Sequence, residues 1–240
     1  MKHCISNDVS KKFLSRQLRN RDGLYIVEVT KDDDDYIRYD HPIHRTIKIG
    51  QRIVDTIHQS TRFPIYFPIN VICDANCFKH AQLIIVCKET ENYDILFFDA
   101  NGKLDVFHEN GSSQSSIAQK YHYHDAVLLN TIRNGLDNHG QMEINEKKRT
   151  RSSSIKFPVW FLTDSFQINK KNLNPEGNCD AITLWYMHLN RFSTTKQECM
   201  TVMKDLQTFL GYQGTKVDLN KMRVATEQIN AEIRQSSLLT

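Results

Sequence analysis

Three side chains in this sequence have the types and order that nucleophilic chemistry needs: His80, Asp99 and Cys179. Cys179 lies in "NPEGNCDAITLWYM" (174–187), where a Gly-containing turn runs into an apolar stretch of helical character. Open backbone N–H groups and the dipole at a helix start favour a thiolate there. Such a nucleophile also requires a base and a place for the oxyanion. His80 stands directly before the apolar run "AQLIIV", and Asp99 ends the next one, "YDILFFDA" (93–100). Paired antiparallel through the turn "ETEN" (89–92), the two runs bring His80 and Asp99 to one end, within two residues of register. Asp99 is then placed to accept from Nδ1 and orient the imidazole. Gln167, twelve residues before Cys179 in "TDSFQIN", is the candidate side-chain donor to the oxyanion, with Asn172 and Asn174 as alternatives. Cysteine is also among the most buried residue types, so Cys179 taken alone reads as a packing thiol. The ordered set, not the single residue, favours catalysis.

The elements that must position these residues follow from hydrophobic period and punctuation. "GLYIVEV" (23–29) reads as a strand, and "TKDDDDYIRYD" (30–40) as an acidic turn without the Gly and distal Glu of a calcium loop. Ile49, Ile53 and Ile57 recur at helical spacing within 49–61. "FPIYFPINVIC" (63–73), "HAQLIIVCK" (80–88), "YDILFFDA" (93–100) and "FPVWFLTDS" (157–165) read as strands, the central ones largely buried. Within 111–140 a polar entry leads into a helix carrying Ala126, Leu129, Ile132 and Leu136 on one face. After Cys179 the chain reads helical over 180–191, 195–210 and 218–235, with Thr194 or Thr195 and Asp218 as caps. The expected class is α+β: a mixed central sheet flanked by helices, with Cys179 at the N-terminus of a core helix. We read 1–240 as a single domain, with a polar, basic N-terminal arm at 1–22 and a helical extension at 193–240.

The bulk numbers exclude several classes. The 240 residues carry 31 Lys and Arg against 28 Asp and Glu, a net charge of only +3, which gives no case for a nucleic-acid surface. The basic run at 146–156 reads as a solvated loop. No stretch approaches the ~20 apolar residues of a membrane span. The N-terminus lacks the apolar centre of a secretory signal, although export by a type III or type IV route stays open. Six cysteines are too sparse for a disulfide scaffold, which points to reduced thiols in a cytoplasmic compartment. Cys73 and Cys77 have the spacing of half a zinc site, but no second ligand pair accompanies them. His122 and His124 do not converge on a helix. Cys87 inside a strand and Cys199 inside a helix read as packing, as do Trp160, Phe161 and Trp185.

The order His80, Asp99, Cys179, with a glutamine ahead of the cysteine, resembles the clan CE cysteine proteases. These include the SUMO-specific proteases, the adenovirus protease and the YopJ-type bacterial effectors. "HAQLII" (80–85), "FFDANG" (97–102) and "EGNCDAITLWY" (176–186) are most similar to the Ulp-like cysteine protease domains of large DNA viruses. There a His-Ala-x-Leu-Ile-Ile strand, an aromatic-Asp/Glu-Pro-His-Gly turn and a Gly-aromatic-Cys-x-x-Trp-x-Leu-Trp helix occupy these places. The similarity covers about half the chain, residues 63–192. It departs at Ala100-Asn101-Gly102, at the missing Trp after His80, and at Asp180, which sets a negative charge beside the thiol.

The resemblance implies a papain-like, clan CE arrangement and hydrolysis of peptide or isopeptide bonds. The implied partners are conjugates of ubiquitin or a ubiquitin-like protein, met in the cytoplasm of a host cell by a protein of a large virus or an intracellular bacterium. His80 would be the base and then the acid, Asp99 its orienter, Cys179 the nucleophile and Gln167 the oxyanion donor, with no metal or cofactor. Two other functions fit the same residues. One is a YopJ-type acetyltransferase, which would need acetyl-CoA and an inositol hexakisphosphate site that only 147–156 offers. The other is a catalytically inactive protein-binding domain, for which Asp180 is the argument.

Overall fold

The computed structural model describes residues 24–30, 36–39, 41–72, 79–90, 92–99, 123–137, 159–161, 179–213 and 216–238. The chain forms short strands β1 (Tyr25–Ile26) and β2 (Ile37–Arg38), helix α1 (His44–Gln59), and strands β3 (Ile65–Ile72), β4 (Lys79–Glu89) and β5 (Asn92–Asp99). A helical stretch over 123–137, here α2, precedes β6 (Val159–Phe161). Helix α3 (Cys179–Leu189) runs into a 3₁₀ turn (Asn190–Phe192), followed by α4 (Lys196–Phe209), the small hairpin β7 (Tyr212–Gln213) and β8 (Lys216–Val217), and α5 (Leu219–Leu238).

The sheet is mixed. Strands β3, β4 and β5 form an antiparallel meander, β6 adds to β5 in parallel, and β1 and β2 both pair in parallel with β3 at its two ends. Side chains alternate across a strand, and here both sets are apolar. Leu83, Ile85 and Cys87 of β4, with Leu96 and Phe98 of β5, pack against α3, α4 and α5. Ile84 and Val86, with Ile95 and Phe97, pack against α1 and α2. The result is a sheet with helices on both faces, the expected α+β class.

Several local signals are met. Thr195 caps α4 in a reciprocal capping box with Glu198. Asp218 accepts from the Lys221 backbone N–H at the head of α5. The 89–92 connection is a two-residue turn closed by the Glu89–Asn92 pair, with Thr90 at φ 57°. The expected strand at 23–29 shrinks to two residues, and the expected acidic turn contains β2. The helices within 193–240 join the core of α3: Cys199, Met203, Leu206, Leu210, Ala225 and Ile229 are buried with Ile182 and Tyr186. The N-terminal arm, 1–22, and the basic run, 146–156, lie outside the described residues.

Helices α1 and α2 approach closely enough that two glycines are required for steric reasons. A Cβ on Gly135 would meet Val54 Cγ2 at 2.7 Å, and one on Gly50 would meet Thr131 Cγ2 at 2.8 Å. An alanine in a helix normally gains roughly 0.5–1 kcal/mol over glycine, so a loss here isolates the packing term. Gly135→Ala is expected to destabilise the fold by ~1–3 kcal/mol through overpacking. In a Val54→Ala background that cost should shrink, making a urea double-mutant cycle non-additive.

Candidate active site

The site begins with strand register. Gln82 lies directly opposite Asp99 across the β4–β5 pair, so His80 is the diagonal neighbour of Asp99 on the same face. Diagonal Cβ atoms are ~7–8 Å apart, a gap that long side chains can span. His80 Nε2 donates to Asp99 Oδ1 at 2.8 Å, as the acceptor-only carboxylate requires. The expected partner nitrogen was Nδ1, and the register explains the difference: from a diagonal position the far edge of the ring makes the bond. Both groups are nearly sealed, His80 at 1% and Asp99 at 3% exposure.

Gln82 extends this pair into a network. Its Nε2 lies 3.0 Å from Asp99 Oδ2, 3.1 Å from Tyr39 Oη and 3.1 Å from Asp125 Oδ1. Tyr39 Oη also donates to Asp125 Oδ1 at 3.0 Å. Next to Asp125 on α2, His124 Nδ1 bonds the Thr46 hydroxyl of α1 at 2.7 Å, and its ring tilts against Tyr39. Burial, and then the charge of Asp99, push the Asp125 carboxyl up to about 7, against the bonds from Gln82 and Tyr39 that pull it down. Gln82, Asp125 and Tyr39 escape a reading of the sequence. The one visible signal is a glutamine inside the otherwise apolar "HAQLIIV".

Cys179 is the first residue of α3. Two anchors set the course of that helix across the sheet. Tyr186 stacks on Phe98, ring centroids 4.7 Å apart, and Phe98 is paired with Leu83. Tyr66 Oη donates to the Asn190 carbonyl at 3.2 Å, and Tyr66 is paired with Ile85. The helix therefore runs toward the 89–92 turn, and its N-terminus points toward the His80 end of β4. Cys179 precedes Tyr186 by seven residues, ~10 Å of helix, and His80 precedes Leu83 by three, ~10 Å of strand. The start of α3 comes level with His80. It does so on the other face of the strand, since α3 packs with Leu83 and Ile85 whereas His80 and Gln82 share the α1–α2 side with Ile84.

The side chains of Cys179 and Asp180 lie outside the described residues, as do Gln167, Asn172 and Asn174 and the cysteine pair Cys73 and Cys77. Cys87 and Cys199 are buried as packing thiols. Contact with the Cys199 thiol, together with burial, pushes Cys87 well above the ordinary thiol range. Trp185 is half-buried against the same core and stacks on His188 at 5.3 Å. Among the described residues no three His, Cys, Asp or Glu side chains are grouped to hold a metal ion, and no helix is long and apolar enough to cross a membrane. No protein-family model matches the chain, and no curated protein matches it in sequence.

The Asp125 geometry has a pH consequence. The folded protein holds a proton on Asp125 up to about pH 7, whereas the ordinary carboxyl value is 3.8. Because the folded value is raised, the contribution of this group to stability is complete below the unfolded value and is lost as the pH rises toward 7. Relative to wild type, Asp125→Asn should therefore be more stable at about pH 7.5 than at about pH 4.5, as read by urea unfolding.

Proposed function

We propose that the protein is a cysteine hydrolase of the clan CE type, which cleaves peptide or isopeptide bonds in conjugates of ubiquitin or a ubiquitin-like protein. The observation that carries this reading is the buried His80–Asp99 hydrogen bond at 2.8 Å, at the strand end level with the first residue of α3. An imidazole held by a carboxylate is a fixed and more basic acceptor for a thiol proton. Because Nε2 is engaged by Asp99, Nδ1 is the nitrogen that would take the proton from Cys179. The thiolate would attack the scissile carbonyl, His80 would return the proton to the leaving amine, and water would then release the acyl group. Backbone N–H groups at the start of α3, with Gln167, Asn172 or Asn174, would receive the oxyanion.

The burial of His80 and the layer its ring faces favour a second reading, a non-catalytic protein-binding domain that keeps the fold. In that case the pair is a structural brace between the sheet and α2.

Ubiquitin and SUMO probes carrying a C-terminal electrophile separate the two. The hydrolase reading expects one of them to label the wild type and not Cys179→Ala, with His80→Ala slower by about 10²–10⁴-fold. Failure of every such probe on a folded wild type would count against the hydrolase reading and favour the binding domain.

A further inference from the structure

The polar cluster on the α1–α2 side holds more than the proposed reaction uses. Gln82 is wholly buried in an apolar strand. Its Nε2 is within hydrogen-bonding distance of Asp99 Oδ2 at 3.0 Å, Tyr39 Oη at 3.1 Å, and Asp125 Oδ1 and Oδ2 at 3.1 and 3.3 Å. An amide nitrogen carries two N–H bonds, so these acceptors compete. Turning the amide over would set its carbonyl oxygen against the Asp99 carboxylate, and above about pH 7 against an ionised Asp125 as well, which favours the nitrogen inward. The penalty falls on Oε1, which is buried with no hydrogen-bond partner among the described residues. Leucine or isoleucine would fill this strand position without that defect. Packing alone does not account for a glutamine here.

We propose that Gln82 is the positioning residue of the His80–Asp99 pair. It holds Oδ2 of Asp99 so that Oδ1 faces the imidazole, and Asp125 is a second carboxylate competing for the same amide. Its meaning in catalysis rests on the hydrolase reading above, whereas its structural content concerns the His80 ring alone. Asp125 is faced by His80, Gln82 and Asp99 from the sheet and by Tyr39 from the segment after β2, with His124 beside it on α2. Two carboxylates at one amide disfavour each other's charge. Protonation of Asp125, whose carboxyl is pushed up to about 7, weakens its claim on Nε2 and leaves the amide to Asp99.

The test is NMR titration of the His80 ring, with tautomer assignment, in the full chain. Gln82→Leu deprives Asp99 of a donor, concentrates charge on the carboxylate and should raise the ring pKa by roughly half a unit or more. Asp125→Asn removes the negative charge that Asp125 carries above about pH 7 and should lower the ring pKa to the extent that Asp125 is ionised where the ring titrates. Should Gln82→Leu not fold, Gln82→Asn takes its place, because its amide is one methylene too short for Asp99. Opposite signs support the proposal, since a merely structural role would shift unfolding and leave the ring alone. An unchanged His80 titration in both variants, or shifts of the same sign, would overturn it. In the probe assay the Gln82 variants should label about tenfold more slowly. A wild type that no probe labels counts against the hydrolase reading instead, and the ring titration still decides the role of Gln82.

Discussion

The pairing of Gln82 with Asp99 across β4 and β5 is the constraint on which the rest of the site depends. Side chains alternate with period two, so this one register assigns every residue of both strands to a layer. Leu83, Ile85, Leu96 and Phe98 go to the layer of α3, while Ile84, Val86, Ile95 and Phe97 go to the layer of α1 and α2. His80, Gln82 and Asp99 travel with the second set. A slip of one residue between the two strands would turn one of them over, put Asp99 on the opposite face from His80 and Gln82, and mismatch the apolar layers. The polar cluster is thus held in place by the much larger apolar burial around it.

The helices close over this arrangement from both sides. On one side the Gly50–Thr131 and Gly135–Val54 approaches let α1 and α2 come together, which brings Asp125 onto Gln82 and Thr46 onto His124. On the other side, Tyr186 on Phe98 and the Tyr66–Asn190 bond direct the start of α3 toward the strand end that carries His80. The candidate nucleophile and the candidate base therefore approach β4 from opposite layers. The end of the strand is where the two layers can communicate. A hydrolase needs an opening at that point, and a binding domain does not. The same geometry makes Gln82 informative, because its buried amide has a carbonyl oxygen with no partner among the described residues, while its nitrogen lies against two carboxyl groups.

Much of the frame was legible in the residues. The continuous apolar runs of β3, β4 and β5, the short turn at 89–92, the Ile49–Ile53–Ile57 spacing and the caps at Thr195 and Asp218 are local signals, each set by a few neighbouring residues. Counting outward from the turn was enough to bring His80 and Asp99 together, because a hairpin's register follows from its turn. The network around Gln82 was not legible in this way. Tyr39 and Asp125 are 43 residues from Gln82 on either side, and no local period links them to it.

By itself the sequence determined the class of the fold, the course of the central hairpin, the His80–Asp99 partnership and the helical character of the run after Cys179. All of these follow from hydrophobic period and turn length over short spans. Only the tertiary structure decided which face of the sheet receives the pair, and that His80 engages Asp99 through Nε2. The reason is that β4 and β5 are buried on both sides. A strand with one polar side declares its orientation, but a strand with long apolar runs on both sides leaves that choice to the helices that cover it.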